Sequence, residues 1–349
     1  MASRARQPNL SDVARHAGVS TGTVSNVLNH PHKVKEGTSA RVARSIEILG
    51  FVRNTNASSL ANGVSGNIGL IVTDLANSLF VEIARGAQTR SRAEGHNLLL
   101  AGSENDLGVQ DANVDSFIGA RVAGLLLAPM HDSTPQIERL ANRHVPVVLI
   151  NYDPGTEQAC CVIVDNERVG YLAARHLIDT GRTRIAFVSS GDTVQPVRLR
   201  RAGVRRAVAE SPGVVLEELH TADFDAGSGA EAAREVAARA PADRPDGVIG
   251  VSDNLAVGFI EQVSDLGVRV PGDMAVMGCD HNTSSPDCRL TLTTVAMRGQ
   301  EMGAAAMSLL AEEILHGSGA GSGHAHRREV LEPHLIPHQS TAVPESSTS

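Results

Sequence analysis

The stretch STGTVSNVLN (Ser20–Asn29) sets short hydroxyl and amide side chains along a segment too brief to bury a core of its own. Ser, Thr and Asn both donate and accept hydrogen bonds, so they suit base edges and phosphate oxygens; without a neighbouring base they are not nucleophiles. The rest of the chain offers no rival chemistry. It has no nucleophile–base pair, no metal-ligand spacing and no phosphate-cradling loop. The glycine run GSGAGSG (Gly317–Gly323) follows a helical pattern and feeds no second one, so it reads as a flexible surface insertion. His324 and His326, at the end of that run, read as solvated side chains rather than metal ligands. No catalytic residue, metal or cofactor is expected.

Three short helices would position the polar stretch. Asn9 is placed to cap the first, Leu10–Ala17, with Asp12 at its third position, and Gly18 breaks it. Ser20 caps a second helix over Thr21–Asn29, and a third covers Glu36–Leu49 before Gly50 ends it. Val13, Ala14, Val19, Val24 and Leu28 form a small core, which leaves Thr21, Gly22, Ser25 and Asn26 facing outward. Two helices joined by a sharp turn, the second with a polar outer face, can enter a major groove. Residues 54–66 (NTNASSLANGVSG) are small and polar and have poor helix propensity, with Leu60 the single large apolar side chain. A leucine on a helix that orders only on its partner can wedge into a base step from the minor groove.

Charge supports that partner. Residues 1–60 hold eight basic side chains, including both lysines of the chain, against three acidic ones. The head therefore carries +5 and the remainder −13, out of a net −8. A basic end on an acidic body fits a phosphate-bearing partner met at one end only. The four cysteines, Cys160, Cys161, Cys279 and Cys288, form no framework and read as free thiols of a reducing compartment. The chain opens on a polar, basic stretch and contains no apolar run of membrane-spanning length, so a cytoplasmic protein with no membrane partner is expected.

Beyond residue 67 the texture changes. Apolar strands at Ile68–Val72, Leu98–Ala101, Gly124–Ala128 and Val145–Ile150 alternate with helices near Phe80–Arg92, Val109–Ala120 and Pro135–Ala141. The rhythm resumes with strands at Ile185–Ser189, Val248–Val251 and Ala275–Cys279, and helices near Arg168–Asp179, Val197–Ala209, Glu231–Arg239 and Leu255–Asp265. Aromatics make up 2% of the chain with no Trp, so the core must be aliphatic. Short apolar strands alternating with helices imply parallel sheets, and the length implies two such lobes with a ligand cleft between them.

The run AGVSTGTVSNVLN (Ala17–Asn29) resembles the A-G-V-S-x-x-T-V-S-x-V-L-N pattern of the LacI/GalR family of transcriptional regulators. Asn54, Ala57 and Leu60 match that family's hinge pattern N-x-x-A-x-x-L. The resemblance implies that Thr21, Gly22 and Asn26 read bases, that Thr23 and Ser25 contact phosphates, and that Ser20 caps the helix beside the DNA backbone. Asn29, Asn54, Ala57 and Leu60 complete the implied DNA-binding set. Asn26 stands where Arg is frequent, and Gly22 offers no side chain. Asn prefers adenine where Arg grips guanine, so a different operator preference follows. Arg53 replaces a frequent Pro before the hinge.

The resemblance continues through TDLANSLF (Thr73–Phe80), VDNERVG (Val164–Gly170), PVRLRRAG (Pro196–Gly203) and LGVRVPGDMAVMGCD (Leu266–Asp280). It implies a small all-α helix-turn-helix head on an α/β periplasmic-binding-protein-like body of two Rossmann-like lobes. The implied domains are the head (1–53), hinge (54–66), N-terminal lobe (67–165 and 295–325), C-terminal lobe (166–294 and 326–340) and tail (341–349). Arg200 and Asp280 are the implied effector ligands, with Phe224 able to lie against a sugar ring and Ser78, Phe80, Asn151 and Ser252 as further candidates. Ser252 and Cys279-Asp280-His281 depart from frequent Asn and Tyr-Asp-Asp, which leaves the effector open. The expected function is a homodimeric repressor of a carbohydrate-utilisation operon that binds a pseudo-palindromic double-stranded operator and is released by a sugar or sugar derivative. A corepressor-dependent or activating regulator with a non-sugar effector is the alternative, and a solute-binding protein without a DNA role is the different class. No leucine heptad follows residue 335 to join two dimers.

Overall fold

In the computed structural model the described residues are 8–51, 65–191, 193–281, 290–316 and 324–342. The chain divides into a small unit ending at Gly63 and a large one beginning at Val64.

Among its described residues the small unit holds three α-helices, α1 (Leu10–Ala17), α2 (Thr21–Asn29) and α3 (Glu36–Leu49). Its caps are the ones the sequence dictates. Asn9 accepts from the Asp12 amide at 3.1 Å while Asp12 accepts from the Asn9 amide at 3.0 Å, a reciprocal capping box. Gly18, at φ 66°, closes α1 in the left-handed region, and Ser20 accepts from the Thr23 amide to open α2. Val13, Ala14, Ala17, Val24 and Val42 form the core, and His16 on α1 bonds Ser45 on α3 at 3.0 Å.

The large unit is two lobes, each with a six-stranded sheet. The N-terminal lobe holds β1 (Asn67–Val72), β2 (Asn97–Gly102), β3 (Gly124–Leu127), β4 (Val147–Ile150), β5 (Cys160–Val164) and β11 (Arg328–Leu331), in the order β11-β5-β4-β3-β1-β2. The C-terminal lobe holds β6 (Arg184–Ser189), β7 (Val215–His220), β8 (Gly247–Gly250), β9 (Ala275–Asp280), β10 (Thr293–Ala296) and β12 (His334–Ile336), in the order β12-β10-β9-β8-β6-β7. Every pairing is parallel except β10 with β12. The central strands are buried throughout, as sheets covered by helices on both faces require.

Helices α4 (Ser78–Ala93), α5 (Leu107–Gly119), α6 (Thr134–Ala141) and α11 (Gly299–His316) serve the first lobe. Helices α7 (Asn166–Asp179), α8 (Gln195–Ala209), α9 (Ala226–Ala237) and α10 (Asp253–Asp265) serve the second. Three helix pairs touch through reciprocal glycines. A Cβ on Gly86 would lie 1.9 Å from the Gln300 carbonyl oxygen, and one on Gly303 2.0 Å from that of Ile83, which seats α4 on α11. Gly170 and Gly203 do the same for α7 and α8, and Gly229 and Gly258 for α9 and α10.

Strand pairing corrects the assignment of residues 326–340 to the second lobe. β11 pairs with β5 and so belongs to the first lobe; only β12 joins the second sheet. The proposed boundary at 294/295 likewise cuts β10, which lies wholly in the second lobe. The backbone thus crosses between lobes after β5, after β10 and between β11 and β12. Cys160, Cys161 and Cys279 are buried and unpaired, as free thiols should be; Cys288 lies outside the described residues.

Candidate nucleic-acid interface and ligand cleft

On α2, Val24 is fully buried while Thr21, Gly22 and Asn26 are exposed and Thr23 and Ser25 are half-buried. The outward row is thus the one the sequence indicated, except that Ser25 is partly covered. The Ser20 hydroxyl is committed to the Thr23 amide and bonds the Thr23 hydroxyl at 2.9 Å, which fixes the first turn. A Cβ at Gly22 would meet only Ser20 Oγ, at 3.7 Å, an ordinary contact. Packing within the head does not demand glycine there; a close-lying partner would. Helix α2 therefore offers a capped N-terminus, a partial positive charge suited to phosphate, and small polar side chains beyond it. Asn54, Ala57 and Leu60 lie outside the described residues, as does the side chain of Asn29.

In the large unit a cleft between the lobes holds about 720 Å³ of empty space, part of it continuous with solvent. Phe80, Asn151, Arg200, Phe224, Ser252 and Asp280 all line it. Ser78 does not; it is 2% exposed, and the preceding residue Asn77 faces the cleft instead. Sequence reasoning missed Asn77, although its place as the cap of α4, accepting from the Leu79 amide at 2.9 Å, is a readable signal. Thr73, Asp74 and Asn105, also in the lining, had no such signal.

The centre of the cleft is an ion pair, with Arg200 Nη2 3.1 Å from Asp280 Oδ1 and both side chains almost fully buried. Arg200 Nε donates to Asn166 Oδ1 at 3.1 Å, and Asn166 Nδ2 donates in turn to Asn151 Oδ1 at 2.9 Å. Asn77 Nδ2 donates to Asp280 Oδ2 at 3.1 Å from the opposite lobe. Burial pushes the Asp280 carboxyl above the usual carboxylate range, outweighing the opposite pull of the Arg200 guanidinium and the Asn77 amide. Burial also drives the neighbouring Cys279 thiol up to about 12, so it stays protonated and unreactive. Asp280 and Asn151 have positive φ, 146° and 53°, a strain that recurs where side chains are aimed for binding. Ser252 acts indirectly: its hydroxyl donates to the Phe224 carbonyl at 2.9 Å and accepts from the Leu255 amide, tying Phe224 to the start of α10.

Further bonds cross the cleft mouth. Asn105 reaches Asp223 at 3.4 Å, Asn254 reaches the Ala76 carbonyl at 3.4 Å, and His131 lies 3.1 Å from the Thr193 carbonyl. Small polar contacts thus join the two lobes at these points.

His324 and His326 are not simply solvated. Both are half-buried, and each directs a ring nitrogen to Cys160. Among the described residues no helix is long and apolar enough to cross a membrane.

Comparison with known proteins agrees with both parts. Residues 9–54 match the family of bacterial regulatory proteins, lacI family, and residues 174–341 match the periplasmic binding protein-like domain. Catabolite control protein A of Priestia megaterium is 32% identical over 303 residues, covering 86% of this chain and 90% of that protein. The HTH-type transcriptional repressor PurR of Vibrio vulnificus is 30% identical over 328 residues, covering 93% and 95%. The solved complex of the transcriptional regulator CelR with cellobiose superposes with a TM-score of 0.70 at 29% identity, covering 95% of this chain and 99% of that one. With a helix-turn-helix head, a two-lobed body and relatives that are regulators rather than enzymes, this chain belongs to the LacI family of DNA-binding transcriptional regulators.

Proposed function

We propose that the protein is a homodimeric repressor of a carbohydrate-utilisation operon, released from a pseudo-palindromic operator when a sugar or sugar derivative fills the cleft. The observation that carries the ligand class is the cleft itself. A fixed guanidinium–carboxylate pair, Arg200–Asp280, sits with the amides of Asn77 and Asn151 beside the rings of Phe80 and Phe224. Bidentate polar groups select ring hydroxyls, and an aromatic face accepts the C–H face of a sugar ring. The likeness to a regulator solved with cellobiose supports the same class. Exposed Leu100, Leu107 and Val109, at the β2 edge and the start of α5, support pairing of two copies.

On this reading Thr21, Gly22 and Asn26 meet bases, Ser20, Thr23 and Ser25 meet the backbone, Asn29 completes the DNA-binding set, and Asn54, Ala57 and Leu60 form the hinge. Effector seated between the lobes changes the small bridges across the cleft, and linkage then requires that effector and operator weaken each other equally. The test is fluorescence anisotropy of the chain on DNA from upstream of its own gene and adjacent operons, with and without a panel of mono- and disaccharides. The expected result is a specific complex that one sugar weakens about a hundredfold, equivalent to about 2.7 kcal/mol of coupling. Specific binding that no sugar alters would overturn the ligand class; tightening by a sugar would reverse the sign.

A further inference from the structure

The geometry points to a second ligand site, a tetrahedral site for a zinc-like transition-metal ion built from Cys160, Glu313, His324 and His326. One ligand atom from each of these four side chains lies within 4.8 Å of the others. Cys160 Sγ is 3.2 Å from His324 Nε2 and 3.7 Å from His326 Nδ1. A tetrahedral ion with bonds of about 2.0–2.3 Å separates its ligand atoms by roughly 3.3–3.8 Å, so little rearrangement is needed. None of the four lines the effector cleft, and this inference does not rest on the sugar reading.

The elements explain why these side chains meet. Cys160 opens β5, and Glu313 lies in the last turn of α11, which packs across that sheet. His324 and His326 sit at i and i+2 in the approach to β11, a spacing that turns both to one side of an extended chain. The Arg327 amide donates to Cys160 Sγ at 3.3 Å, a contact that favours a thiolate.

Glu313 is the independent pointer to a ligand. It is 6% exposed, its Oε2 is buried without a hydrogen-bond partner, and among the described residues no arginine or lysine forms an ion pair with it. Burial pushes the Glu313 carboxyl up to about 7. A carboxyl so removed from water either holds its proton or takes a cation beside it, and the three ligand atoms next to it supply the place for a cation. The donor set selects the cation. One thiolate, two imidazoles and a carboxylate suit zinc and its neighbours and exclude calcium and magnesium, which take oxygen ligands. As the ion binds, the Cys160 thiol releases its proton to solvent and a sulfur–metal bond forms. The ion would then pin β11 to β5 and α11.

The test uses the full chain without a histidine tag, stripped with chelator under reductant, then dialysed against zinc or titrated with cobalt(II). The expected result is one zinc per chain, a thiolate-to-cobalt charge-transfer band with tetrahedral absorption, and a higher thermal midpoint with zinc. The double variant His324→Ala/His326→Ala changes half-buried side chains, keeps the fold, and weakens binding at least about a hundredfold. Cys160→Ser abolishes the charge-transfer band, whereas Cys161→Ser retains it. Stoichiometric zinc that survives the double histidine variant would overturn the site. So would a charge-transfer band lost with Cys161 instead of Cys160, or a wild-type chain that binds no more micromolar zinc than the double variant.

Discussion

Gly170 offers a quantitative test of how Arg200 is held. A Cβ at this position would stand 1.8 Å from the Arg200 carbonyl oxygen, whereas ordinary contact begins at 3.4 Å. Gly170→Ala must therefore part α7 from α8 by about 1.6 Å at that point, since the opposing atom is backbone and cannot swing aside. Overpacking of this kind costs about 1–3 kcal/mol, and a rigid backbone contact belongs at the top of that range. The displacement also exceeds what the Arg200 bonds tolerate. Its contacts to Asn166 and Asp280 are both 3.1 Å, so a shift above 1 Å breaks or stretches them beyond hydrogen-bonding distance. Urea unfolding followed by circular dichroism should show a midpoint shift equivalent to about 3 kcal/mol, and the sugar binding proposed above should be lost at urea concentrations where the variant is still folded. Gly119→Ala, on α5 with nothing within 4 Å, is the matched control and should be neutral or stabilising by up to about 1 kcal/mol. Equal midpoints for Gly170→Ala and wild type would refute the claim that helix spacing positions Arg200.

Three further outcomes follow from the same structure. Asp280→Ala strands the Arg200 guanidinium in a site where it is 5% exposed, which should cost about 3–5 kcal/mol; adding Arg200→Met should recover much of it, and a double-mutant cycle in urea that shows strict additivity would contradict the pairing. Asn26→Arg should move the preferred base at one operator position from adenine toward guanine with about 1–3 kcal/mol of discrimination, read by selection from randomised half-sites; an unchanged preference at every position would remove Asn26 from base reading. His176 is held neutral by burial, which lowers its pKa from 6.5, and its Nε2 lies 2.7 Å from the Thr341 hydroxyl. The unfolded chain gains that proton first, so the stability it supports is complete above pH 6.5 and declines as pH falls from there toward the lower folded value; thermal melts across that window should show a shallower acid slope for His176→Asn, and an identical slope would refute the assignment.

How much of this was legible in the chain varies with the range of the interaction involved. The head was readable because its decisive contacts are local: Asn9 with Asp12, Ser20 with Thr23, and Gly18 in the left-handed region lie within a few residues of one another. Apolar runs such as Ile185–Ser189, and even the edge strand β2 around Leu98–Ala101, announce themselves by composition. Others do not: the sequence indicated neither β5 (Cys160–Val164) nor β10 (Thr293–Ala296), though both are buried inside their sheets. VLEELH at Val215–His220 carries charges and partly exposed side chains, and β11 and β12 are short. The allocation of β11 to the first lobe was invisible, because pairing with β5 joins positions far apart in sequence. In the cleft, Arg200 and Asp280 were accessible through their motifs, while Asn77 was masked by its neighbour Ser78, whose side chain turns into the protein. The cluster at Cys160 was the least accessible: the glycine run suggested solvent, and only tertiary pairing brings the two histidines to a sulfur 164 and 166 residues away.

The short connector between β11 and β12 restricts what the body can do. Only Glu332 and Pro333 separate a strand of one sheet from a strand of the other. Three Cα steps of at most about 3.6 Å give a leash of roughly 11 Å from Leu331 to His334. Together with the two other crossings, it lets the lobes tilt or twist but never drift apart. Any message from the cleft must therefore travel as a change of angle, with its largest displacement at the ends of the lobes farthest from these three straps.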